Sequence, residues 1–194
     1  MAMWDRIKDQ AKALQQQNQG SGGSGARSHH GPAGGTGSGA SGPGGSGGSK
    51  AQLVGLLKTQ LTSLKTELKS GAYRDASMAV CALVAAADGH VDHAERQHVE
   101  SLILSNDVLQ NFPADQLRTR FNKHVDQLIS NPIRGRAEAF QEVAKAAKKP
   151  AEARAVIQTG IVVAGADGYI SPAEEQILRE ACTTLGLSSA EFGI

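Results

Sequence analysis

Past residue 50 the apolar positions fall at helical spacing, and no segment alternates with the period of a strand. Leu53, Leu57, Leu61, Leu64 and Leu68 recur every three or four residues and predict an amphipathic helix over 51–69, with Gly71 as its stop. Tyr73 to Ala87 is apolar on most sides and predicts a buried helix, followed by a partner over 92–104. Leu117, Phe121, Val125 and Leu128 mark a helix over 114–130 that Pro132 breaks. Ala137, Phe140, Val143, Ala144 and Ala147 mark another, ending at Lys148-Lys149-Pro150. Residues 151–166 predict a second buried helix and 171–185 its partner, closed by Gly186, with a last turn over 188–192. Near the start, Met3, Trp4, Ile7, Ala11 and Leu14 share one face of a short helix over 2–17. These elements predict an all-α bundle of about seven helices.

Two stretches are alike. Ala-Ala-Asp-Gly-His-Val-Asp-His-Ala-Glu (86–95) and Gly-Ala-Asp-Gly-Tyr-Ile-Ser-Pro-Ala-Glu (165–174) each place an Asp-Gly turn between two helical runs. Val80 to Ala87 matches Thr159 to Ala166 in character, so a helix–turn–helix unit is used twice. Local chemistry accounts for much of the likeness. Gly89 and Gly168 supply a left-handed residue, Asp92 and Ser171 are N-caps, and Glu95 and Glu174 complete capping boxes. Val91 and Ile170, just before the caps, can staple into the core.

Composition divides the 194 residues into three parts. More than half of the 23 glycines lie between Asn18 and Ser49, in a tract of Gly, Ser, Ala, Pro and Thr that predicts a flexible linker. The expected organisation is an amphipathic helix at 1–17, a linker at 18–50 and a helical domain at 51–194. The chain's formal charge of +1 is unevenly spread, residues 1–70 being net positive and 71–194 net negative. An acidic folded part argues against nucleic acid as a partner. The basic first part permits weak contact with an anionic membrane surface or with a partner's groove through Trp4, Ile7, Lys8 and Lys12, or docking against the chain's own domain. The adjacent His29-His30 in the linker is a poor metal site. With no apolar stretch in the first 20 residues and none long enough to span a bilayer, a chain without signal peptide or membrane span is expected. Cys81 and Cys182 sit among apolar neighbours and are expected as free, buried, inert thiols in a reducing cytoplasm.

Asp88 and Asp167 are what local chemistry leaves over. Each stands after a helix, near the negative end of its dipole, where an uncompensated carboxylate costs about 0.3–1 kcal/mol. Asp88, Asp92, Glu95, Asp167 and Glu174 therefore form a candidate acidic site for a hard divalent cation of the Ca²⁺ or Mg²⁺ class, or for a cationic partner. A working EF-hand is not expected: aligning Asp167 and Glu174 with loop positions five and twelve puts Val163 and Gly165 at positions one and three, and Val84 and Ala86 in the first repeat, where oxygen side chains are required. His90 and His93 are replaced by Tyr169 and Pro172 in the second repeat, so a site using both repeats alike does not depend on them. There is no phosphate loop, Cys-x-x-Cys or nucleophile–base pair, and a non-enzymatic role is expected.

The run 79–89 (Ala-Val-Cys-Ala-Leu-Val-Ala-Ala-Ala-Asp-Gly), the run 160–175 and the ending Leu-Gly-Leu-Ser-Ser-Ala-Glu-Phe-Gly-Ile (185–194) resemble the tellurite-resistance family TerB, over about residues 65–194. The opening Trp-Asp-Arg-Ile-Lys (4–8) is similar to that family's amphipathic start. The resemblance implies an all-helical, internally pseudo-symmetric domain with a role in tellurite resistance and stress tolerance, without known catalysis. It implies action at the inner face of the cytoplasmic membrane with other Ter proteins, including a TerC-like membrane protein and TerD-like proteins. It maps presumed metal-binding positions onto Asp88, Asp92, Glu95, Asp167 and Glu174. Ser171 departs from the acid that would mirror Asp92, and the Gly-rich insertion implies a loosely tethered first helix.

Overall fold

The computed structural model describes residues 46–194, with side chains from Lys50 onward. These residues form seven α-helices: α1 (Ser46–Ser63), α2 (Gly71–Ala85), α3 (His93–Leu104), α4 (Ala114–Ser130), α5 (Pro132–Ala144), α6 (Pro150–Ala164) and α7 (Pro172–Leu185). Short 3-10 turns follow at Leu109–Asn111, Lys145–Lys148 and Ser189–Phe192. The described part is all-helical, as the apolar spacing predicts.

The two helices read as central are so. From Ala76 to Ala85 every residue of α2 is buried, and α6 is buried at most positions from Ala155 to Ala164. They pack on each other side by side and in the same direction. Ser70, which caps α2, donates to Glu152 in the first turn of α6 (2.7 Å), while further along an added Cβ on Gly160 would meet Val80 Cγ1 at 2.5 Å. The Tyr73 and Thr159 hydroxyls, 2.9 Å apart, join the same pair in the core. Each buried Leu, Ile or Val contributes about 1.5–3 kcal/mol of burial free energy. Around this pair, α4, α5 and α7 cover α2, while α1 lies along α6. Gly135 lets α5 approach α4 closely, since a Cβ there would lie 2.5 Å from the Gln127 carbonyl oxygen.

Three boundaries differ from the sequence expectation. Helix α1 starts earlier, at Ser46, and ends at Ser63, where turns such as Leu64 N–H to the Leu61 carbonyl take over. Gly71 is therefore not a stop but the first residue of α2, with Ser70 accepting from the Tyr73 N–H (3.1 Å). Pro132 does end α4, yet it also opens α5 at a position where its missing N–H costs nothing, with Asn131 as the cap.

Candidate functional site

Because α2 and α6 run in parallel, both Asp-Gly turns emerge at the same end of the bundle. Their backbones repeat each other closely. Ala86 and Gly165 close the two helices at the same φ −90° and ψ 12°. Gly89 and Gly168 follow with φ of 85° and 84°, a conformation that side chains with a Cβ resist. Val91 and Ile170 are buried just before the caps.

The two aspartates have a local role. Asp88 Oδ1 accepts the His90 N–H (3.1 Å), and Asp167 Oδ1 accepts the Tyr169 N–H (3.0 Å). A side chain bonding the backbone two residues on is an Asx turn. Both lie past the last helical residue, so the dipole acts on them more weakly than the sequence implies, and each carboxylate has a local N–H donor.

Beyond the backbone the turns diverge. In the second, Ser171 and Glu174 form a complete capping box: Glu174 Oε2 accepts the Ser171 N–H (2.7 Å) and Ser171 Oγ accepts the Glu174 N–H (3.2 Å). Glu175 is taken up by Lys50 of α1 and by Arg179. Asp167 Oδ2 is shielded from solvent and accepts no hydrogen bond among the described residues. In the first turn the cap is charged. Asp92 Oδ1 accepts the Glu95 N–H (2.8 Å), so two carboxylates meet at one helix start. Glu95 is only 3 % exposed. Its carboxyl is pushed up to about 7, by burial first, then by the Asp88 charge and by that of Asp92, with the Asp92 N–H and His90 pulling the other way. Asp88 itself is exposed.

Asp88, Asp92 and Glu95 thus share one charged corner, while Asp167 and Glu174 belong to another. Among the described residues no three His, Cys, Asp or Glu side chains are gathered closely enough to hold a metal ion. The chemistry of the donors suits a hard cation, but protein atoms alone do not cage one. Val84 and Val163, the first positions of the EF-hand alignment, lie within helices. Both cysteines are buried, and burial raises the Cys81 thiol to about 12 and the Cys182 thiol to about 11, so neither is a ready nucleophile. Trp4, Ile7, Lys8, Lys12 and His29-His30 lie outside the described residues. Among the described residues no helix is long and apolar enough to cross a membrane.

Sequence reasoning missed a groove beside the first turn. Its volume is about 340 Å³, and Leu83, Ala87, His90, Leu128, Ile129 and Arg136 line it. Ile129 and the nearby Ile133 stand 53 % and 87 % exposed, apolar side chains that the described residues leave uncovered. The available signal was the pair of isoleucines flanking Pro132, which fit neither helix's buried stripe. A second groove, of about 410 Å³, lies between α1, the end of α3 and the second turn, and Lys58 is its charged lining residue.

The family model described as tellurite resistance protein TerB matches residues 74–194, which include both turns and helices α3 to α7. No curated protein and no solved structure matches the chain.

Proposed function

Because this chain belongs to the TerB tellurite-resistance family, we propose that it serves as a non-enzymatic tellurite-resistance and stress-response module whose first acidic turn takes a cation. Asp88, Asp92 and Glu95 supply the charge, and the cation is a hydrated divalent ion of the Ca²⁺ or Mg²⁺ class or the basic group of a partner. In this reading it acts with other Ter proteins, a TerC-like membrane protein and TerD-like proteins, at the cytoplasmic face of the membrane.

The observation that carries this is the geometry of the first turn, where Asp92 accepts the Glu95 N–H (2.8 Å), Glu95 is buried and the exposed Asp88 adds a further carboxylate. Burial and these two neighbours push the Glu95 carboxyl up to about 7, so ionising it leaves repulsion that a cation would relieve. A hard ion could keep most of its water and touch carboxylate oxygens of one turn, which requires no closed protein cage. The orphaned Asp167 Oδ2 gives the second turn a weaker claim of the same kind, with Glu174 committed to its capping box.

The test is calorimetric titration of the full chain with Ca²⁺, Mg²⁺, Mn²⁺ and Zn²⁺, wild type against Asp88→Asn/Asp92→Asn. Asparagine keeps the side-chain oxygen that makes the Asx turn and the cap, and removes only the charge. Weak binding, with a dissociation constant of about 0.1–1 mM, that disappears in the variant supports the reading. Equal heats in both proteins, or none in either, rule out the metal form and leave the cationic partner, assayed by co-precipitation of a TerC-like protein. A second reading, a helical adaptor whose acidic turns are structural, is favoured by the Asx bonds of Asp88 and Asp167. It requires partner capture that is the same in wild type and variant.

A further inference from the structure

We infer that residues 2–17 of this chain dock in the groove beside the first turn, apolar face against Leu83, Leu128 and Ile129. This deepens the reading above by naming a cationic occupant for that acidic corner, and the occupant is intramolecular.

Three observations meet here. The first is chemical complementarity. The groove has an apolar floor with the exposed Ile129 on its rim, and the exposed Ile133 follows its lining residue Pro132 in the chain. Its charged lining residue, Arg136, is paired with Glu180, and Asp88 and Asp92 stand just outside it, on either side of the lining residues Gly89, His90 and Val91. The segment 2–17 carries the opposite pattern, with Met3, Trp4, Ile7, Ala11 and Leu14 on one face and Arg6, Lys8 and Lys12 beside them. An amphipathic helix seated in an apolar groove is a recurrent mode of recognition. A cavity of about 340 Å³ is within the range that holds a compact apolar group.

The second is where the described chain begins. Helix α1 starts at Ser46, its Lys50 pairs with Glu175, and Val54 lies where a Cβ on Gly165 would go. The chain therefore enters the bundle at the end where both turns emerge. The third is reach. Residues 18–45 treated as a Gly-rich coil span about 30 Å. That matches the breadth of a domain whose radius of gyration is about 15 Å. Such a tether gives an effective concentration of about 1 mM, so a groove that bound the free segment with a dissociation constant of about 0.1 mM would be filled about nine-tenths of the time. The larger groove beside α1 is nearer, but its lining Lys58 has no ion-pair partner among the described residues and repels the segment's cations, whereas Arg136 in the groove by the first turn is paired with Glu180.

Trp4 is the only tryptophan, so its fluorescence reports the segment alone. The full chain is compared with a synthetic peptide of residues 1–17, with Ile129→Ser/Ile133→Ser and with Asp88→Asn/Asp92→Asn. Docking is expected to blue-shift Trp4 emission and lower acrylamide quenching several-fold relative to the peptide, independently of protein concentration. Ile129→Ser/Ile133→Ser should return both to the peptide values; these side chains are exposed, so the fold should persist, and circular dichroism checks it. Peptide-like quenching in the wild type overturns the inference, as does protection unchanged by the isoleucine substitutions. Protection that grows with protein concentration overturns it in favour of a second copy. Protection that appears only with vesicles containing phosphatidylglycerol overturns it in favour of a membrane surface. Protection lost with the isoleucines but kept in Asp88→Asn/Asp92→Asn upholds docking by apolar contact and removes the acidic turn's share, which separates this inference from the cation reading.

Discussion

The two turns share a backbone and differ in what that backbone holds. Both close a buried helix at the same dihedral angles, both use a positive-φ glycine, and both fix the aspartate by a bond to the residue two further on. At the second turn the cap is neutral Ser171, the box with Glu174 is complete, and α1 lies against it with Lys50 on Glu175. At the first the cap is Asp92, the buried Glu95 faces two carboxylates, and an open apolar groove lies alongside. A repeat can therefore conserve the geometry of a turn while reserving function for one copy. The difference arises from charge at a cap and from what packs beside it.

The largest expected effect comes from exchanging the helices that feed the turns. Gly160 occupies the repeat position of Cys81, but it sits where α2, α6 and α7 meet, with Val80 Cγ1 and Leu178 Cδ2 2.5 and 2.9 Å from an added Cβ. Gly160→Cys should cost about 3 kcal/mol through overpacking, read by urea denaturation. An unchanged midpoint would show that the two central helices are interchangeable here.

Next is the pH dependence of Glu95. Its folded pKa of about 7 lies above the ordinary 4.5, so the folded chain binds more protons between those values than the unfolded chain. Stability from this group is full below pH 4.5 and is lost as pH rises through 7. At about 1.4 kcal/mol per unit the upper bound is roughly 3 kcal/mol, and relaxation of the exposed Asp88 should leave about 2 kcal/mol. Glu95→Gln should flatten the fall between pH 5 and pH 8 and be more stable than wild type at pH 8. A parallel pH profile in wild type and variant would defeat the claim that this turn is strained by charge.

The smallest effect converts one cap into the other. Asp92→Ser keeps an N-cap acceptor and removes one of the charges beside Glu95. It should change stability at pH 5 by less than about 0.5 kcal/mol and lower the Glu95 pKa, measured by carbon NMR titration of the carboxyl. A Glu95 pKa that stays near 7 would place the whole shift on burial and Asp88.

Much of this was legible in the chain. The spacing of leucines and alanines located the buried pair α2 and α6, since a helix apolar on every side has only one place to go. The Asp-Gly, Asp92 and Ser171-Pro172 signals located the turns within two residues, because caps and positive-φ glycines act on their own neighbours. Gly71 was misread because a glycine between two helices can close one or open the other, and Ser70 decided it by capping α2 and reaching Glu152.

Sequence alone thus determined the helices, their order, the repeated turns and the membership that the family match confirms over 74–194. All of these depend on contacts a few residues apart. Tertiary structure alone decided that the two turns share one end of the bundle, that Glu95 is buried beside its acidic neighbours, and that a groove opens beside the first turn. Those facts depend on the parallel packing of α2 and α6 and on which neighbour covers each turn. Burial and cavity shape arise between segments distant in the chain, and no local pattern encodes them.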